Sequence, residues 1–488
     1  MILTRKGIEH MAPTRPLVTS ETLEGWGMHD RATCRVARVR DASQIALAFA
    51  EATSRGETVA LRGAGCSYGD ASLNAGQTVL DCTAMNRILA WDPRTGVVTV
   101  EPGVTIAQLW QRILPDGWWP MVVPGTSAVT LGGAAAMNIH GKNNWRVGGF
   151  GDSVLSCDLL LPTGETLTCS RTDHPDIFFG AIGGMGLLGC FVAITLQTRR
   201  IFSGYVSERQ TAHDSLEALL VAMEAATGDY DDLVAWLDTS ARGAHLGRGL
   251  LKAGRDLKPG EDPHPEASLT VAAQLGTPGA LQRVSSGWLP RLARSLATAP
   301  GVWLANRGQW TRGRAGSRGE AHLATYARAN FPLDAVPNWR DAYRPGGLIQ
   351  HQSFVPREAA LPAFRDFLSR SQAAGIVPSL AVLKKHRPDD FLLSYLGDGY
   401  SLALDFPVRR GQETRLLSLQ ATLNDLLADY GGRCYFAKDS TLSPAQASRM
   451  IAQETLARFV VLKQRCDPSG LLATDLYRRV LAPLLRPA

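Results

Sequence analysis

The chain has 488 residues, too many for one ordinary hydrophobic core, so two domains or one large interrupted domain are expected. With 45% hydrophobic and 20% charged residues it reads as a folded globular enzyme, not a disordered chain. The formal charge of +6 arises from arginines scattered without a dense basic run, so neither nucleic acid nor a polybasic membrane anchor is signalled.

From the N-terminus, MILTRKGIEHMAPTRPLVTS lacks the apolar run of a secretory signal, and Met11 could serve as the start. No run of about 18 apolar residues predicts a spanning helix. The eight cysteines (Cys34, Cys66, Cys82, Cys157, Cys169, Cys190, Cys434, Cys466) stand singly, so neither a disulfide framework nor a metal site is expected and a reducing compartment fits. The expectation is a cytoplasmic protein, with peripheral membrane contact left open.

The stretch from Thr33 to Arg55 predicts a short strand, a helix start at Asp41 and an amphipathic helix. The strand Thr58 to Arg62 opens into a turn, Gly63-Ala64-Gly65-Cys66-Ser67-Tyr68-Gly69-Asp70. Such a turn can aim backbone N–H groups at a phosphate. Its GxGxxxG spacing is not the Rossmann fingerprint, and no apolar-periodic helix follows. Gln77 to Thr83 and Gly96 to Gly103 read as strands, and Ile106 to Leu114 as a helix.

The densest glycine region is Val122 to Phe150, VVPGTSAVTLGGAAAMNIHGKNNWRVGGF, which ends with His140, Lys142, Asn143 and Asn144 close together. Small residues in an apolar segment suggest backbone moulded around a ligand, although bulged strands also select glycine one position at a time. Two strands around the turn Pro162-Thr163-Gly164 follow, then a third Gly-rich approach between Ile177 and Thr195. The first 200 residues thus read as one α+β unit whose turns converge on a long ligand.

Residues 201–432 differ, with helical periods at Leu216 to Ala226, Leu361 to Ala373 and Leu416 to Asp429 and strand-like runs LIQHQSFV and YSLALDFPV. A sheet with helices on one face is expected there. Trp310 to Gly319, rich in Arg and Gly, reads as an exposed loop near a helix end. Helical patterns at Pro444 to Ile451 and Leu456 to Lys463, then a break at Cys466-Asp467-Pro468-Ser469-Gly470, close the chain.

The pieces GAGCSYGD, VPGTSAVTLGGAAAMNIHGKN, GGMGLLG, LDFPV, GGRCYFAKDS and CDPSGLLATD together resemble the vanillyl-alcohol-oxidase/PCMH-type FAD flavoproteins. Within them the similarity is greatest to the decaprenylphosphoryl-ribose 2-prime-oxidase group, and it runs nearly end to end. The resemblance implies an α+β FAD-binding domain of two subdomains over residues 1–200, completed by 433–488. It implies a substrate-binding domain, 201–432, whose antiparallel sheet, flanked by helices, roofs the flavin.

By motif position, FAD would meet Arg62, Gly63, Gly65, Cys66, Ser67, Tyr68 and Gly69, then Pro124, Gly125, Thr126, Thr130, Gly132 and Gly133. Asn138, His140, Gly141, Lys142, Asn143 and Asn144 would lie near the ring, Gly189 and Phe191 near the adenosine part, and Tyr435 at the ring edge. Substrate contacts would come from Tyr68, Trp236, Gln350, Gln352, Lys384, Ser401, Ala403 and Lys438, with Lys438 and His140 as the catalytic pair. The decaprenylphosphoryl-ribose 2-prime-oxidase group carries Asn at Ser401, Cys at Ala403 and a pair of histidines at Asn144-Trp145. In alditol oxidases of the wider family, the residue matching Cys66 is a His bonded covalently to FAD. Noncovalent FAD is expected here, with a Cys66 linkage as the lesser alternative.

Oxidising a carbinol through a flavin moves a hydride to the ring while the hydroxyl loses a proton, so an acceptor or base near that oxygen is needed. Taken alone, each lysine is more often half of a surface ion pair, a lone His more often structural, and Trp236 more often core. Motif context favours function for Lys438, Lys142 and His140. Three readings follow. The first is oxidation of a secondary alcohol on a lipid- or nucleotide-linked sugar, paired with an NAD-dependent reductase to give epimerisation. The others are an alditol or natural-product alcohol oxidase of the same fold, and a flavin-binding partner protein without turnover.

Overall fold

The computed structural model describes residues 15–275, 299–317, 320–336 and 338–485; most of the N-terminal segment read above and positions 318 and 319 lie outside them. The first sheet runs in the order Leu17–Glu24, Arg31–Arg38, Thr78–Asp81, Val59–Arg62, its outer pair antiparallel and the rest parallel. Alternation in Arg31–Arg38 buries Ala32, Cys34 and Val36 on one face. Asp41 caps the helix Ala42–Ser54 through Oδ1, which accepts the Gln44 N–H at 3.0 Å. That helix buries Ile45, Ala48, Phe49 and Ala52 at helical spacing against the sheet.

A second, antiparallel sheet follows the order Ile88–Asp92, Val97–Val100, Cys190–Gln197, Val154–Leu160, Thr166–Ser170. The helix Ile106–Ile113 starts with a reciprocal Thr105/Gln108 capping box and buries Leu109 and Trp110 beside it. Trp119, 1% exposed, packs with Trp110, Tyr326 and Phe331.

The third sheet has eight antiparallel strands in the order His322–Thr325, Tyr205–His213, Gly249–Asp256, Asp232–Leu237, Leu380–His386, Gly399–Pro407, Leu348–Pro356, Arg433–Cys434. Its register lines up Gln352, Ala403, Val382, Trp236 and Leu250 across five strands, and Gln350, Asp405 and Leu380 in the next row. Since side chains alternate, these share a face, while Ser353, Leu402 and Leu383 point the other way. On that other side lie the helices Leu216–Ala225, Ala360–Ala373 and Glu413–Asp429, with Phe364, Phe367 and Leu423 fully buried.

After Cys434 the chain returns to the first sheet. Val59 N–H donates to Leu471 O at 2.7 Å and Ala473 N–H to Val59 O at 2.9 Å. Lys463, in the helix Gln453–Cys466, ties this tail to Leu187 O at 2.8 Å and Leu472 O at 2.6 Å.

The expected loop from Trp310 is instead the end of the helix Ala299–Gly316. Val302, Asn306, Trp310 and Gly313 recur at helical spacing and are buried. A Cβ on Gly313 would fall 2.2 Å from Leu250 Cδ1, so this glycine permits close packing and does not break the helix. Among the described residues no helix is long and apolar enough to cross a membrane.

Candidate functional site

A cavity of about 780 Å³ lies where the loops of the first 200 residues meet the open face of the eight-stranded sheet. Arg62, Gly63, Gly65, Cys66, Ser67 and Tyr68 form one wall, and Pro124, Gly125, Thr126, Thr130, Gly132 and Gly133 a second. His140, Lys142, Gly189 and Phe191 also line it, as do Trp236, Gln350, Gln352, Lys384, Ser401, Ala403, Tyr435 and Lys438. Loops and sheet rows widely separated in sequence therefore share one cleft.

Five expected cofactor contacts do not reach it. Gly69 packs on Asp439, where an added Cβ would fall 1.9 Å from the carbonyl oxygen. Asn138 donates to Asp389 Oδ2 and accepts the Gly151 N–H, both at 2.8 Å. Gly141 lies under Asn143, whose Nδ2 donates to Met121 O at 2.9 Å. Asn144 is fully buried against His386. Gly69 joins the first turn to Asp439, and the other four residues hold the loop that carries His140.

Thr126 lines the cavity, but its hydroxyl donates to Asp334 Oδ1 at 2.6 Å. Asp334 also accepts the Ser127 N–H at 2.8 Å, so it ties down the turn and takes the Thr126 hydroxyl away from a ligand. Arg62 likewise spends its guanidinium on Ser72 Oγ at 2.9 Å and Glu24 O at 2.8 Å, bracing the glycine turn from behind.

Residues 34–170 match the family described as FAD binding domain. Decaprenylphosphoryl-beta-D-ribose oxidase of Mycolicibacterium smegmatis is 31% identical over 485 residues, covering 96% of this chain and 99% of that protein. The chain belongs to the PCMH-type FAD flavoproteins. A second relative, L-gulono-1,4-lactone dehydrogenase of Mycobacterium tuberculosis, is 23% identical over 92% of this chain and 96% of its own. A Streptomyces coelicolor protein described as uncharacterized in the mprA 5′ region is 27% identical over 77% of the chain and its full length. This is an FAD-dependent oxidoreductase by family.

The cavity suits that cofactor. Thr130 carries a buried Oγ1 without a hydrogen-bond partner in the wall between Gly125 and Gly132, a donor available to a phosphate oxygen. Against it, an added Cβ at Gly63 would fall 2.0 Å from Thr130 Oγ1, so glycine there keeps the two glycine-rich turns in contact. These turns of the flavoprotein form one side of the cavity, and the sheet forms the other.

Three lysines that line the cavity and are partly exposed to it set the electrostatics opposite. Lys438 holds Nζ 3.6 Å from the Tyr68 ring centroid, and burial pushes its pKa down to about 8 against the opposing pull of Asp405. Lys384 is pushed down to about 7 by burial and by Lys142 and Lys438. Lys142 is lowered by burial too, and its ammonium donates to Ala329 O. Asp405, raised to about 6 by burial, accepts from the Gln350 carboxamide.

His140 reaches the cavity, but burial and the charges of Lys384 and Lys438 keep its imidazole neutral. Its Nε2, 2.9 Å from Gln352 Nε2, accepts from that carboxamide. His140 therefore stands at the cavity wall as a hydrogen-bond partner of Gln352.

Asp405, Asp334 and His386 escaped the sequence reading. A carboxylate inside the apolar run LALDFPV was a usable signal for Asp405. Asp334 and His386 carry none, since Thr126 and Asn144, which they hold, lie about 200 residues or more away in sequence.

Proposed function

We propose that this flavoprotein oxidises a secondary alcohol of a sugar, as the first half of an epimerisation of the decaprenylphosphoryl-ribose type. The observation that carries the reading is Lys438, held over Tyr68 at the seam between the glycine-rich turns and the sheet row Gln350–Asp405. FAD, when bound, accepts the hydride released by the carbinol carbon.

Lys438 stands against the carbinol oxygen. With a pKa near 8 it is close enough to neutrality to take the hydroxyl proton as a neutral amine. Gln350 and Gln352 orient the sugar, the first fixed by Asp405 and the second by His140. Lys142 and, in its protonated form, Lys384 provide positive charge for an anionic substrate, and Trp236 gives the sugar an apolar platform. Ala403, between Gln352 and Val382 in its row, leaves that part of the roof small and unreactive.

Burial pushes the Cys66 thiol up to about 11, which keeps it protonated and supports noncovalent FAD. The keto-sugar product then calls for a separate NAD-dependent reductase. Anaerobic mixing of the yellow holoenzyme with a prenylphosphoryl-β-D-ribofuranose, beside alditols and free sugars, tests the reading. Bleaching by the prenylphosphoryl sugar supports it. Bleaching by alditols alone would replace it with alditol oxidation.

A further inference from the structure

His386 is gripped from both sides. Closing the strand Leu380–His386 and 1% exposed, it stands 2.9 Å by Nδ1 from Asn144 Oδ1 and 2.7 Å by Nε2 from Ser401 Oγ. Asn144 Oδ1 also receives the Arg387 backbone N–H at 3.4 Å, which marks that atom as the carboxamide oxygen, an acceptor. The hydrogen between the two side chains therefore belongs to His386 Nδ1.

Burial and the charge of Lys384 keep this imidazole neutral. A neutral ring with its hydrogen on Nδ1 offers only a lone pair at Nε2. Ser401 can make its 2.7 Å contact only by donating, so its one hydrogen is used inside the wall. Ser401 lines the cavity opposite Lys384, and what it turns to a ligand is oxygen lone pairs alone.

We infer that Asn144 locks the His386 tautomer and thereby makes Ser401 an acceptor-only contact that selects a substrate with a free hydroxyl on the sugar carbon facing it. This rests on the sugar-alcohol reading above and adds the specificity of one wall. When protonated, Lys384 beside it offers only donors, so in that form the two side chains match a hydroxyl next to an acceptor oxygen. A substituent that cannot donate would leave the Ser401 lone pairs without a donor in a buried wall, and affinity should fall by about tenfold or more. Asn144 and His386 act through Ser401 and are positioning residues.

The test uses anaerobic, chemically reduced holoenzyme, which cannot turn over. Calorimetry compares a prenylphosphoryl-β-D-ribofuranose with its 2-deoxy-2-fluoro and 3-deoxy-3-fluoro counterparts. In parallel, ¹⁵N-histidine NMR, assigned with His386→Gln, reads the tautomer. The expected result is a protonated Nδ1 and a bare Nε2 at His386, with at least one fluoro sugar bound about tenfold more weakly than its parent. Ser401→Ala should bring that ratio to about one, and Ser401→Thr, which keeps the hydroxyl, should restore it.

A proton on Nε2, or equal binding of the parent and both fluoro sugars, would overturn the inference and leave the sugar reading standing. Failure to bind the parent sugar at all would overturn both. The tautomer and the parent-to-fluoro affinity ratio are both read on the wild-type protein, and His386→Gln serves only to assign the His386 resonances.

Discussion

Lys438 and Tyr68 meet with the ammonium 3.6 Å from the ring centroid, which joins the YFAKDS segment to the first glycine-rich turn. The backbone repeats the join, since Tyr68 N–H donates to Ala437 O at 2.7 Å. The cation–π contact holds a desolvated ammonium without neutralising it. Charge and proton availability thus sit in one place at the cavity wall.

Lys438→Met should therefore keep its yellow colour and lose substrate-driven bleaching by about a hundredfold or more in stopped-flow anaerobic mixing. Unchanged bleaching would remove Lys438 from the chemistry.

Gly69 makes the same join possible from the other side. Gly69→Ala would place a methyl group where the Asp439 carbonyl lies, forcing backbone apart and costing about 1–3 kcal/mol of stability. Thermal unfolding should show the loss, and FAD affinity should fall with it. An alanine variant of full stability would mean that the two segments are not in contact.

Asp334 gives a third expectation. Three hydrogen bonds run to it from Thr126 and Ser127. Asp334→Ala leaves the Ser127 N–H and two hydroxyls without their acceptor, at a cost of about 1–3 kcal/mol, and frees the turn at Gly125. Fluorescence titration of apoprotein with FAD should show weaker binding. Equal affinity would make Asp334 incidental to the cradle.

Lys384 makes stability depend on pH in a stated direction. Its pKa is about 7 when folded, against roughly 10.4 in an unfolded chain. Between those values the unfolded state holds the extra proton, so this group adds stability as pH rises. Below about 7 both states are protonated, and the charge is buried at a cost. The melting temperature of apoprotein should rise across pH 6.5 to roughly 9 relative to Lys384→Met, in which that increment is absent. Parallel profiles for the two proteins would contradict a desolvated Lys384.

Much of the cradle was legible because short motifs carry it. GAGCSYGD and VPGTSAVTLGG place backbone turns whose geometry follows from their own residues, and both line the cavity. The run NIHGKNN was read too evenly. Consecutive residues of a tight turn face different ways, so His140 and Lys142 reach the cavity while Asn143 and Asn144 brace the loop. Gly313 was misread because glycine marks both a broken helix and a close-packed one, and only Leu250 distinguishes them. Asp405 and His386 gain their meaning from strand register, and short-range pattern cannot supply register between distant strands.

The most direct measurement of the central claim is the visible spectrum of the purified yellow protein, recorded anaerobically before and after addition of a prenylphosphoryl-β-D-ribofuranose. Loss of the flavin absorbance in wild type, with retention in Lys438→Met, is the expected result. A protein that purifies colourless and takes up no added FAD, or a flavin left oxidised by every sugar and alcohol offered, would contradict it.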